Sequence, residues 1–227
     1  MIIKRLAILA NSRKNSGRCV AGVSLDDHDY GQWIRPVSLR PGESLNESER
    51  FYVDNTDPKV LDIVDVPLVR AHPHSCQTEN WLISTRKRWY KRGELSWRDA
   101  FDFIDKPKSI WMNGYSTRDG VNDEIPTEHA KNLKSSIGLI HAPSLEIHKI
   151  KNYTGDKTRI YAYFFVNNVP YKLPVTDLEV ENYFLKCDLG VYKVEECLMT
   201  ISLGEPFIKN NGASCQYKLV AAIMTKP

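Results

Sequence analysis

The chain has 227 residues, 42% hydrophobic and 26% charged, with a formal net charge of +3. That balance suits one large β domain or two compact units of roughly 100 residues each, and it excludes a disordered tail, a collagen-like repeat and a coiled coil. No apolar run approaches the ~20 residues that cross a bilayer, and Lys4 and Arg5 stand where a signal peptide would be purely apolar. The expectation is a soluble, cytoplasmic protein with no membrane partner.

In chain order, residues 2–10, 18–24 and 32–38 alternate or run apolar, as strands do, with polar loops at 11–17 and 26–31. Ser44-x-x-Glu47 has the pattern of a capping box before a short helical stretch. A fourth strand is expected over 60–69, and a fifth over 79–84. These elements predict an amino-terminal OB-like barrel over residues 1–85. Residues 86–136 then look like a bridge or insert, with a helix over 96–104 and a polar loop over 119–126.

Residues 137–145 return the chain to β structure, and the expected carboxy-terminal barrel fills 137–227. Strands are expected over 145–153 and 159–166, with Asn167-Asn168 as a hairpin turn into 169–175, where Pro170 and Pro174 favour a short or edge strand. Thr176-x-x-Glu179 is a second capping-box pattern, ahead of a helix of about three turns. Asp177, in the first turn, suits the positive end of that helix. Two more β segments, 197–207 and 216–224, complete a β-β-β-α-β-β order. That is the order of an OB-fold, the five-stranded Greek-key barrel whose exposed face and loops bind oligonucleotides or oligosaccharides. The predicted fold is mainly β with short helices: two OB-like five-stranded Greek-key barrels joined by a partly helical bridging segment.

The charge is uneven. Residues 1–40 hold seven Lys and Arg against three Asp and Glu, residues 41–80 three against eight, and residues 81–100 six against two. The first basic group is Arg13, Lys14, Arg18, Arg35 and Arg40. The second is Arg86, Lys87, Arg88, Trp89, Tyr90, Lys91 and Arg92, flanked by Trp81, Trp97 and Arg98. Cations interleaved with aromatics suit single-stranded nucleic acid, since phosphates attract Lys and Arg while unstacked bases need flat rings. A solvated basic loop with inward-packed tryptophans reads equally well. Arg35, fixed before Pro36, suits a phosphate, a base or a structural salt bridge; Trp33 suits stacking or the core. Lys218, on the last strand, either faces a binding surface or snorkels outward.

Catalytic and metal signals are weak. The five cysteines, at 19, 76, 187, 197 and 215, form no C-x-x-C pair and read as small buried hydrophobes. His72, His74 and Cys76 alternate, but Pro73 between the histidines argues for a loop. Asp102, Asp105, Asp119, Asp123 and Glu124 lack nuclease spacing and read as a solvated acidic stretch. No nucleophile elbow, Walker loop or dinucleotide fingerprint occurs, so neither a cofactor nor a metal is expected.

The segments Gly17-Arg18-Cys19-Val20-Ala21-Gly22, Trp33-Ile34-Arg35-Pro36-Val37-Ser38, Gln77-Thr78-Glu79-Asn80, Tyr171-x-Leu-x-Val-Thr-Asp177 and Ser202-Leu203-Gly204-Glu205-Pro206-Phe207, followed by 217–223, resemble the bacterial dual OB-fold-containing domain family across nearly the whole chain. The resemblance implies two OB-like barrels, a nucleic-acid-related role and a bacterial conflict or anti-phage setting. The leading expectation is a non-enzymatic module that binds single-stranded DNA or RNA, or a nucleotide-like ligand, through Arg13, Lys14, Arg18, Trp33, Arg35, residues 86–92 and Lys218. The alternatives are a metal-dependent enzyme acting on nucleic acid through the carboxylates of 102–124, and a protein-interaction subunit whose basic run docks an acidic partner.

Overall fold

Continuous buried runs in two strands make the first core. In β1 (Ile2–Lys14) and β4 (Asp62–Ala71) the residues Leu6, Ile8, Val64, Val66 and Leu68 are fully buried and pack together with Val20, Ile34, Leu45, Tyr52 and Trp89. The computed structural model describes residues 1–226 and divides the chain into two units, residues 1–104 and the residues from Asp105 onward.

In the first unit β1 pairs antiparallel with β2 (Gly17–Ser24), and β2 with β3 (Trp33–Val37). Strand β3 runs parallel to β5 (Asn80–Ile83), β5 pairs with β4, and β4 returns to β1 from Ile2↔Leu68 to Ala7↔Ile63. The order β1-β2-β3-β5-β4-β1 closes a five-stranded Greek-key barrel, with α1 (Glu47–Arg50) between the third and fourth strands. Gly22 sits where β1 and β2 approach so closely that a Cβ there would lie 2.2 Å from the Ala7 carbonyl oxygen.

Two local features differ from the expected ones. The first strand continues to Lys14, so the 11–17 loop shrinks to a turn at Asn15, whose φ of 50° is left-handed. The cap of α1 is Asn46 rather than Ser44: Asn46 Oδ1 accepts the Glu49 N–H at 3.0 Å, and Glu49 Oε2 accepts the Asn46 N–H at 2.9 Å.

Residues 86–136 divide between the units. β6 (Tyr90–Glu94) pairs with the amino-terminal half of β4, from Asp62↔Glu94 to Asp65↔Tyr90, and so extends the first sheet. α2 (Trp97–Ala100), capped by Ser96, and a 3-10 turn over Phe101–Phe103 follow. The second unit takes β7 (Glu124–Pro126), which pairs with a strand near the carboxy terminus, and α3 (Thr127–Ala130).

The second core lies between two sheets. β8 (Ile137–Ala142) and β9 (Leu145–Lys151) are separated by two residues, as are β12 (Gly190–Val194) and β13 (Cys197–Leu203). β9 pairs with β12 and β8 with β13, so each pair behaves as one long strand bent from one sheet into the other. β10 (Thr158–Val166) and β11 (Val169–Pro174) extend one sheet beyond β9. β15 (Ser214–Thr225) extends the other beyond β13 and carries the two-residue β14 (Phe207–Ile208). An isolated parallel bridge, Val175↔Val220, links the end of β11 to β15. Counting each bent pair once, this is the strand order of the first barrel. Its helix, α4 (Leu178–Leu185), lies again between the third and fourth strands.

The Asn167-Asn168 turn forms as expected, both residues left-handed with φ of 49° and 65°. The cap of α4 is Asp177 rather than Thr176. Asp177 Oδ1 accepts the N–H groups of Glu179 and Val180, and Oδ2 accepts that of Ile223 in β15. Thr176 is occupied elsewhere, donating from its N–H and its hydroxyl to the Val220 carbonyl. Strand β12 had no counterpart in the expected elements.

Candidate nucleic-acid interface

Three strands of the first unit present their outward faces together. Register sets Ile3 opposite Pro67, Arg5 opposite Asp65, and Asp65 opposite Tyr90. With Val64, Val66 and Leu68 turned inward, the alternation turns Asp65 and Pro67 outward. An open groove of about 390 Å³ results. Ile3, Val53 and Pro67 give it an apolar floor, Lys87, Arg88 and Arg92 supply cations, and Asp65 and Tyr90 complete the lining.

The groove is electrostatically organised. Asp65 Oδ1 accepts Arg5 Nε at 2.9 Å and Asp65 Oδ2 accepts Arg92 Nε at 2.6 Å. Burial alone would raise the Asp65 carboxyl, but the two guanidinium bonds outweigh it and hold the group below the usual carboxylate range. The Arg92 guanidinium lies over the Tyr90 ring, 4.4 Å from its centroid, and Tyr90 remains 48% exposed. Arg88 Nη1 donates to the Tyr52 carbonyl at 3.1 Å and to Asn55 Oδ1 at 2.7 Å. Among the described residues Arg86 and Lys87 are exposed cations with no ion partner.

The two basic segments border one loop. Arg18 Nη2 stands 3.6 Å from Asp57 Oδ2, a carboxylate that also takes two bonds from Arg50, at 2.7 and 2.9 Å. Arg88 reaches Tyr52 and Asn55 of the same 52–58 stretch. Arg13 is exposed and Lys14 half-buried at the adjoining end of β1.

A family model described as Dual OB-containing domain matches residues 4–223. The chain belongs to the dual OB-containing domain family. No curated protein and no solved structure matches it.

Within the first OB unit several expected contact residues turn out to be structural. Trp89 is 1% exposed and packs in the core, so its ring has no face for a base. Arg35 is 2% exposed, with Nη2 2.9 Å from Glu79 Oε1 and Nη1 donating to Asn80 Oδ1 at 3.4 Å; the parallel β3–β5 pairing places both partners beside it. Lys91 donates to Asp62 and Glu94, each at 2.6 Å, which raises its ammonium pKa and commits it within the protein. Trp33 is half-buried. Sequence reading missed Ile3, Arg5, Asp65 and Pro67, because only the β1–β4 register reveals their shared face, and Val53, which a turn of the 52–58 loop brings to the groove.

In the second OB unit Lys218 is fully buried. It donates to the Met112 carbonyl at 2.7 Å and to Asn113 Oδ1 at 3.2 Å, and burial lowers its pKa to about 7. It therefore leaves the contact set. The carboxylates of the 102–124 stretch that the second unit holds serve separate local bonds. Asp105 Oδ2 accepts the Leu139 N–H, Asp123 accepts the Thr117 N–H and hydroxyl, and Glu124 pairs with Lys209. Asp123 and Glu124 are buried rather than solvated. Among the described residues no three His, Cys, Asp or Glu side chains gather as a metal set.

Proposed function

We propose that the first OB unit is a binding module for single-stranded DNA or RNA, acting in the cytoplasm, and that the groove at β1, β4 and β6 is its contact surface. The observation that carries this reading is a half-exposed Tyr90 set among Lys87, Arg88 and Arg92 in one groove, with Arg86 an exposed cation next to Lys87 in the chain. A ring in that position needs an unstacked base, which a single strand offers and a duplex does not. Arg13, Lys14 and Arg18 extend the cationic track along the far side of the 52–58 loop. A single-strand binder of this kind fits the bacterial conflict setting that the family resemblance implies.

The test is fluorescence anisotropy with labelled dT12 and rU12 between 50 and 200 mM salt. If Arg86, Lys87, Arg88 and Arg92 each neutralise one phosphate, affinity falls roughly 50-fold over that range, because each single-strand contact contributes a slope of about −0.7. The Arg86→Gln/Lys87→Gln variant should retain about half that slope and lose roughly sevenfold over the same range. Absence of salt-sensitive binding at 50 mM, or an unchanged slope in the variant, refutes the proposal.

A further inference from the structure

Among the described residues Asp65 is the only acidic one lining the groove, and a carboxylate beside a phosphate site repels the phosphate. Its placement must therefore supply something that offsets that repulsion. Both of its oxygens are used, one on Arg5 Nε and one on Arg92 Nε, and its side chain is 11% exposed while each arginine keeps 48%. A guanidinium held at Nε has its orientation fixed while its terminal NH2 groups remain available as donors. For Arg92 that orientation lays the guanidinium over Tyr90, making a stack of two flat groups at the groove wall. The groove's volume of about 390 Å³ falls at the small end of ligand sites, room for one nucleotide rather than a helix or a peptide strand.

Building on the nucleic-acid reading above, we propose that the groove binds one unstacked nucleotide of the strand and that Asp65 is its positioning residue. The base extends the Tyr90–Arg92 stack, Lys87 and Arg88 take the phosphate, and Asp65 fixes Arg92 and Arg5 so that neither must be ordered on binding. The apolar floor of Ile3, Val53 and Pro67 receives the ring edge.

The sign of one substitution separates this from simple electrostatics. Asp65→Asn deletes a negative charge, so a groove acting only as a charged patch binds an oligonucleotide more tightly after the change. A positioning role predicts the reverse, a loss of about tenfold for dT12. Arg92→Lys keeps the charge and loses the plane, and it is a second probe should Asp65→Asn fail to fold. It should weaken dT12 about fivefold with the salt slope unchanged. Heparin, a polyanion without bases, should bind Arg92→Lys as it binds the wild-type protein. Equal or tighter dT12 binding by Asp65→Asn, wild-type binding by Arg92→Lys, or an equal loss on heparin overturns the positioning role while leaving the nucleic-acid reading intact. A wild-type protein that ignores dT12 and rU12 at 50 mM salt removes both.

Discussion

Lys218 gives a prediction whose size follows from its surroundings. Its ammonium is fully enclosed in the second OB unit, and burial, only partly opposed by the charge of Asp123, brings its pKa from 10.5 to about 7. Between those two values the unfolded chain carries a proton that the folded chain has released. The unfolded state thus binds more protons, and stability rises with pH through that window. Going from pH 7 to pH 9 the gain is about 2 kcal/mol, from a limiting slope of about 1.4 kcal/mol per pH unit. Lys218→Met keeps the length and apolar body of the side chain and removes the titrating group. The assay is urea denaturation of the full chain at pH 7, 8 and 9 followed by circular dichroism. The quantity read is the wild-type stability minus that of Lys218→Met, which should grow by about 2 kcal/mol across the series. Titrating groups that do not interact with Lys218 are common to both proteins and cancel in the difference. Parallel pH profiles would show that Lys218 stays protonated in the fold, with the Met112 carbonyl and Asn113 Oδ1 outweighing its desolvation. The same variant should bind dT12 as the wild-type protein does, since Lys218 lies outside the contact surface.

The Arg35–Glu79 pair should behave as a buried ion pair: Arg35→Met alone, leaving Glu79 enclosed without its cation, should cost about 3–5 kcal/mol in urea denaturation, whereas Arg35→Met/Glu79→Leu should cost much less. A single variant as stable as the double would refute the pairing. Trp89 and its neighbour should separate cleanly. Trp89→Ala should lose about 3–5 kcal/mol of stability through the cavity it leaves. Tyr90→Ala should stay within about 0.5 kcal/mol of wild type. Measured on folded protein, Tyr90→Ala should weaken dT12 by about fivefold or more through lost stacking.

Much of the architecture was legible because its signals are local. The β-rich run at 159–166, the Asn167-Asn168 turn and the helix between third and fourth strands each depend on neighbours within a few residues, and together they give the OB order. The caps slipped by one or two positions for a physical reason. Ser44, Asn46, Thr176 and Asp177 are all competent N-cap residues, and local pattern does not rank them. Tertiary structure does: β15 takes the Thr176 hydroxyl and N–H, and Asp177 is left to close both the helix and the Ile223 N–H. The folded form of strand β12 resisted reading because its five residues alternate only between half-buried and exposed.

The site was half legible for the same reason. Composition located the cations of 86–92, yet which of them reach solvent is decided by partners distant in sequence. Lys91 is claimed by Asp62, Arg92 is shared with Arg5 across Asp65, and Arg35 is enclosed by Glu79. The register of β6 makes the final selection. Trp89, immediately before the strand, enters the core beside Tyr52 and Val64, so the next residue, Tyr90, must face outward, opposite Asp65. A slip of one position would expose the indole and bury the phenol, dismantling the Tyr90–Arg92 stack. Trp89 thus contributes to the proposed interface without touching it: the apolar surface it buries is the force that displays its neighbour, and sequence alone shows two adjacent aromatics without showing which one is the anchor.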